Sequence, residues 1–167
     1  MIHELDIENY AVVAKLRVGF RRGLNLLTGE TGSGKSIVVD AVSLLFGARA
    51  DAEAVRAGAE RARISGVFEA ADSAGVARLL AESGADADEA ELIVERHVLA
   101  GGKSRAYVNG RPATAALLRE LAERLGDIHG QHEQQNLFAP AYQLSVLDQF
   151  AGSRDLVERA GARYSEW

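Results

Sequence analysis

Apolar and polar positions change rhythm along this chain, and each rhythm predicts an element. Ile2, Leu5 and Ile7 open an extended pattern that ends near Asn9. Val13-Ala14-Lys15-Leu16-Arg17-Val18 alternates apolar and polar, the period of a half-buried strand. Gly23 then opens Leu24-Asn25-Leu26-Leu27-Thr28, a short apolar run bounded by glycines that reads as a buried strand. Residues 37–46 are apolar almost all round, which predicts a buried helix, and Gly47 is placed to stop it. Residues 48–61 are rich in alanine and small charged residues and read as exposed. Arg63–Phe68, Leu92–Leu99 and Arg105–Val108 are strand-like.

The punctuation between these runs is also informative. Asp72 is placed to cap a short helix ending at Gly84, with Val76, Leu79 and Leu80 on one face. Asp86-Ala87-Asp88-Glu89-Ala90-Glu91 is an acidic run that suits a solvated loop. Asn109-Gly110 predicts a tight turn, and Pro112 stops a following strand early. Thr114 can cap a helix carrying Leu117, Leu118, Leu121 and Leu125. A polar stretch to Asn136 and two helical patterns complete the sequence. In the last, Val157, Ala160, Tyr164 and Trp167 follow 3-4-3 spacing.

Composition narrows the chemistry. The 167 residues are 47% hydrophobic, with a net charge of −5 and no cysteine. Disulfides, thiolate metal sites and cysteine nucleophiles are therefore excluded. No apolar run approaches the roughly 20 residues of a membrane span. Met1–Asp6 lacks the basic and apolar regions of a signal peptide, so the expectation is a soluble, cytoplasmic domain. Net acidity argues against a broad nucleic-acid footprint, although a local patch stays open. Only Lys15, Lys35 and Lys103 are lysine, against 16 arginines.

One of those lysines lies in Gly29-Glu30-Thr31-Gly32-Ser33-Gly34-Lys35-Ser36, which fits G-x-x-x-x-G-K-[ST] between a predicted strand and a predicted helix. A triphosphate concentrates negative charge in a small volume. Glycines let the backbone wrap it with inward N–H groups, and a helix start adds its positive end. Lys35 can reach the β- and γ-phosphates, and the Ser36 hydroxyl can ligate Mg²⁺. The motif therefore predicts ATP and Mg²⁺ as cofactors. An ATPase also needs a later acidic motif. Leu92-Ile93-Val94-Glu95 and Val146-Leu147-Asp148 are weak candidates and read as structural. His129 and His132 near Glu133 make only a weak metal signal.

Leu5-x-Ile7-x-Asn9-Tyr10, Gly23-Leu24-Asn25 and the phosphate loop together resemble the heads of the structural maintenance of chromosomes (SMC) superfamily. Asp127-Ile128-His129-Gly130-Gln131-His132-Glu133 is similar to the Q-loop segment of its RecN-like DNA-repair branch. Tyr107-Val108-Asn109-Gly110-Arg111 resembles the hairpin preceding that loop. The resemblance implies an α/β P-loop head of ABC type, with a mixed sheet and an antiparallel β portion. It implies that Gln131 helps hold Mg²⁺ and senses the γ-phosphate, so Lys35 and Gln131 are the expected catalytic residues. Arg56-Ala57-Gly58 lies where such heads carry an arginine loop. Lys103, Arg105 and Arg111 flank the hairpin, where DNA-phosphate contact and simple solubilising charge both fit.

Such heads also need a signature motif, a Walker B Asp-Glu pair and a switch histidine, which this sequence lacks. The resemblance thus implies residues 1–150 as the N-terminal half of a head and 151–167 as the start of a coiled-coil arm. It further implies a C-terminal half of the same head as partner, a second head in an ATP-driven homodimer, and DNA held by the full protein near the nucleoid. The expected role is DNA double-strand break repair and recombination. A small kinase of the P-loop class and a non-catalytic nucleotide-gated module are the alternatives.

Overall fold

The computed structural model describes residues 1–30, 34–69, 73–83, 91–126, 128 and 140–165. Two units divide at Asp127/Ile128. The first contains β1 (Ile2–Tyr10), β2 (Val13–Gly19), α1 (Lys35–Leu45), a single 3-10 turn (Ala52–Ala54) and β3 (Arg61–Phe68). It continues through α2 (Ser73–Glu82), β4 (Leu92–Leu99), β5 (Ser104–Val108), β6 (Arg111–Ala113) and α3 (Ala115–Leu125). The second contains α4 (Pro140–Phe150) and α5 (Arg154–Ser165), which pack on each other.

Six strands form one sheet in the order β2-β1-β3-β4-β5-β6, and every pairing is antiparallel. This is the antiparallel portion that the family resemblance implies. Alternation fixes its register. Ile7 stands opposite Leu16 on β2 and Ile64 on β3, and Val94 stands opposite Gly66 and Val108. A slip of one residue would turn every one of these side chains to the other face. Leu5, Ile7, Ile64, Phe68, Val94, Val98 and Val108 are fully buried, along with Leu45 of α1 and Leu118 and Leu121 of α3. Burying each such side chain contributes about 1.5–3 kcal/mol.

Local signals place the connections. Asn109 (φ 48°) and Gly110 (φ 75°) make the predicted turn. The Asn109 side-chain oxygen also accepts the Ile93 N–H at 2.8 Å, extending the ladder by one bond. Pro112 is confined to the three-residue strand β6 at the sheet edge, where its missing donor is harmless. Thr114 Oγ1 accepts the Leu117 N–H at 3.1 Å and caps α3. Asp72, Gly84 and residues 86–90 of the acidic run lie outside the described residues.

Two expectations need correction. Leu24–Thr28 is not a buried strand. It pairs with no strand among the described residues, and Leu24, Leu26 and Leu27 are 85%, 75% and 44% exposed. The physical reason is topological: the six strands pair with one another in an antiparallel sheet, and among the described residues no parallel neighbour stands beside this run. Helix α1 is not buried all round either. Val38, Ala41, Leu44 and Leu45 face the sheet, while Ser36, Val39 and Asp40 face outward. A helix lying on one sheet buries one stripe, and apolar residues on its far side stay uncovered.

Polar groups sort by face. The outward side of the sheet carries ion pairs Lys15–Glu8 (3.3 Å), Arg17–Glu4 (2.5 Å) and Arg63–Glu95. Inside, Arg96 is buried and donates to the Ala48 carbonyl (3.3 Å) and Ser104 Oγ (3.1 Å). Burial and the nearby Arg119 push its pKa down. Arg119 in turn donates to the Gly47 carbonyl at 3.3 Å. Both cations thus sit at the negative end of α1. No helix among the described residues is long and apolar enough to cross a membrane.

Candidate phosphate-binding site

The start of α1 is built to face an anion. Its N-cap is Gly34 at φ 92°, a left-handed conformation that strains any side chain with a Cβ. No side chain caps this end, and its first turn contains no acid. Val38 donates back to the Gly34 carbonyl at 3.3 Å, so the Lys35, Ser36 and Ile37 N–H groups precede the first intrahelical bond. They lie at the positive end of the helix dipole. The Lys35 ammonium donates to the Gly29 carbonyl and, at 2.8 Å, to the Glu30 carbonyl. It therefore gathers the beginning of the loop over the helix start. Ser36 is exposed in the first turn.

An ammonium, three amides before the first intrahelical bond and a hydroxyl form a donor set that fits a phosphate chain with its metal ion. Among the motif residues, the structure brings together Gly29, Glu30, Gly34, Lys35 and Ser36. Thr31, Gly32 and Ser33 lie outside the described residues, as do Gln131, His129, His132 and Glu133. Among the described residues no group of three His, Asp or Glu side chains could hold a metal ion.

The segment leading into this loop has its own anchor, which sequence reasoning missed. Glu69 immediately follows β3. Arg22 Nη2 donates to both of its carboxylate oxygens, at 2.8 and 3.1 Å. His3 Nε2 lies 3.1 Å from Oε2. The Arg22 hydrogen bonds and charge, then the His3 contact, hold the Glu69 carboxyl below its ordinary pKa. Phe20 donates to the His3 carbonyl at 2.8 Å. Asn25 closes the turn that follows, accepting from the Arg21 N–H at 3.0 Å and donating to its carbonyl at 2.7 Å. These partners are 47 and 66 residues apart in sequence, so no local pattern announces them.

The Arg56-Ala57-Gly58 segment is tied to the β1–β2 tip. The Arg56 N–H donates to the Asn9 carbonyl at 2.9 Å, and Tyr10 bridges Val55. Burial, and then the charge of Asp40 on α1, push the Tyr10 hydroxyl pKa up. The tip, the Arg56 segment and α1 are therefore neighbours.

A basic corner lies on the outward face of the sheet. Arg63 stands opposite His97, and His97 opposite Arg105. One step along, Arg61 stands opposite Leu99, whose N–H donates to the Lys103 carbonyl at 2.8 Å. Among the described residues Arg61, Lys103 and Arg105 have no carboxylate partner. The two acidic-motif candidates are otherwise engaged. Glu95 pairs with Arg63, and Asp148 accepts from Ser153 Oγ at 3.3 Å.

The sequence model of the RecF/RecN/SMC N-terminal domain matches residues 1–129. The chain belongs to that family. Among its relatives, the DNA repair protein RecN of Bacillus subtilis is 44% identical over 99% of this chain and 28% of its own length. RecN of Vibrio cholerae is 38% identical over 100% of this chain and 30% of its own. The chain thus spans under a third of the curated relatives it matches. A chain solved in work on ATP-driven dimerization and DNA-stimulated activation of SMC ATPases superposes with TM-score 0.63. It is 22% identical and covers 89% of this chain and 98% of that one. ATP-bound RecF, a recombination mediator, gives TM-score 0.60 at 22% identity, covering 88% of this chain and 36% of that one. At such identity these structures establish the fold: the N-terminal lobe of an SMC/RecF-type head.

Proposed function

We propose that this chain is the ATP-binding half of an SMC-like ATPase head of RecN type, serving DNA double-strand break repair and recombination in the bacterial cytoplasm, on the nucleoid. The observation that carries this is Lys35 at the uncapped start of α1, its ammonium already drawn over the loop by Gly29 and Glu30. Gly29, Glu30, Thr31, Gly32, Ser33, Gly34, Lys35 and Ser36 cradle the phosphates. Lys35 offsets charge that grows on the γ-phosphate oxygens during transfer. Ser36 and Gln131 would hold Mg²⁺, which when bound neutralises the β- and γ-oxygens. Gln131 suits that place because its carbonyl can face a cation while its amide bonds a water.

Completion comes from outside these residues. The exposed Leu24, Leu26 and Leu27 support a C-terminal half of the same head as the partner covering this strip, since apolar strips of this kind mark interfaces. Residues 1–150 serve as the half-head, and 151–167 begin a coiled-coil arm. ATP then joins two heads into a homodimer, and hydrolysis releases them. The RecN relatives and the ATP-driven dimerization studied for SMC ATPases support this cycle. The corner of Arg61, Lys103 and Arg105 supports DNA-backbone contact by the full protein.

The test uses the complete protein. DNA-stimulated ATP hydrolysis falls to background in Lys35→Ala, and Gln131→Ala loses Mg²⁺-dependent turnover while keeping nucleotide binding. Unchanged turnover in both variants contradicts the proposal. Robust phosphoryl transfer by these 167 residues alone would favour the small kinase. Binding without any turnover in the complete protein would favour a nucleotide-gated structural module.

A further inference from the structure

Among the described residues, the attachments of the segment between β2 and α1 fall at its two ends. Residues 21–30 pair with no strand among the described residues. At the far end, Lys35 holds the Gly29 and Glu30 carbonyls. At the near end, Phe20 bonds the His3 carbonyl and Arg22 reaches Glu69. Between them, among the described residues, the Asn25 side chain bonds within its own turn, to Arg21 and Gly23. We propose that Glu69 is a positioning residue for the phosphate-binding loop: through Arg22 it fastens the strand-less approach to Gly29 onto the end of β3. This rests on the nucleotide-binding reading of that loop.

Three features distinguish this pair from an ordinary surface ion pair. The Glu69 backbone is fixed, because its N–H donates to the Met1 carbonyl at 2.8 Å, continuing the β1–β3 pairing. Its carboxylate has a second partner in His3, whose Nε2 lies 3.1 Å from Oε2. Arg22 meets both oxygens through one nitrogen, Nη2, so the contact is shared across the carboxylate. Both side chains remain outside the core, at 42% and 78% exposure. Losing the pair therefore leaves the sheet intact and loosens the loop's approach, and a looser loop must be ordered again when phosphate binds.

The experiment measures ATP affinity by calorimetry, and the urea midpoint in parallel, for the chain and four variants. These are Glu69→Gln, Arg22→Gln, the exchange of Glu69→Arg with Arg22→Glu, and Lys35→Ala. Each single change at the pair raises the Kd for ATP about two- to fivefold, the range of a well-oriented surface pair, with an unmoved urea midpoint. The exchange restores most of the lost affinity. At about 1 M salt, where the screening length falls to about 3 Å, wild type and single variants converge. Single variants that bind ATP as wild type does overturn the proposal. So does an exchange as weak as the singles, or a Kd that rises only in step with a falling urea midpoint. If the wild type binds no better than Lys35→Ala, the nucleotide reading itself falls and takes this proposal with it.

Discussion

Three glycines separate backbone strain from steric exclusion, and Gly47 combines both. It follows α1 at φ 87°, where its N–H bonds the Leu44 carbonyl (3.2 Å) and the Ala48 N–H bonds the Ser43 carbonyl (3.0 Å). This is the Schellman closure of the helix that carries Lys35. A Cβ at Gly47 would lie 2.7 Å from the Ala115 carbonyl oxygen and 2.8 Å from Arg119 Cγ, so α3 must retreat. Gly47→Ala therefore combines left-handed strain of about 1–2 kcal/mol with overpacking of about 1–3 kcal/mol. Lower entropy of the unfolded chain offsets about 0.4–1 kcal/mol. The net loss is about 1–4.6 kcal/mol. Gly58 has a similar φ of 82° but open space around it. Gly58→Ala loses about 1 kcal/mol or less, from strain alone. Gly66 is the reverse case: its φ is ordinary, but a Cβ would meet Leu45 Cδ1 at 2.6 Å and Phe68 Cε2 at 2.8 Å. Gly66→Ala loses about 1–3 kcal/mol. Urea denaturation followed by far-ultraviolet circular dichroism ranks the three. Equal losses for Gly47→Ala and Gly58→Ala would refute the close approach of α1 and α3.

Thr114→Ala removes the oxygen that accepts the Leu117 N–H and costs about 1 kcal/mol, read from the same urea curves. Phe68→Ala empties a fully buried site and costs about 3–5 kcal/mol, enough to broaden or abolish the cooperative transition. His97 predicts a pH dependence. Burial first, then Arg61 and Arg63 against the opposing Glu95, hold its imidazole below its ordinary value of 6.5. The unfolded chain takes up a proton below about 6.5 that the folded state resists, so stability is present above that pH and is lost as pH falls towards the depressed folded value. His97→Asn, compared at pH 7.5, 6.5 and 5.5, flattens that fall. Parallel slopes for wild type and variant contradict the assignment.

Features written in neighbouring residues were legible in the sequence. The alternation in β1, β2 and β4, the Asn109-Gly110 turn, the Thr114 cap and the Gly47 stop each depend on a few adjacent positions. The start of α1 after Gly34 was legible for the same reason. Strand order was not, because β1 pairs with β3 across the whole of α1, and no local rhythm records that. Leu24–Thr28 was misread because a short apolar run between glycines says nothing about whether a neighbouring strand exists. Val39 was misread because the far side of a helix on a single sheet is uncovered whatever its composition. The Glu69–Arg22–His3 anchor was invisible because each residue alone is an ordinary surface charge.

The central claim is that Gly29–Ser36 binds the phosphates of ATP through Lys35. Calorimetric titration of ATP with Mg²⁺ into the chain and into Lys35→Ala tests it most directly. Saturable, one-to-one binding to the wild type and none to the folded variant is the expected result. Equal binding by both, or none by either, contradicts it.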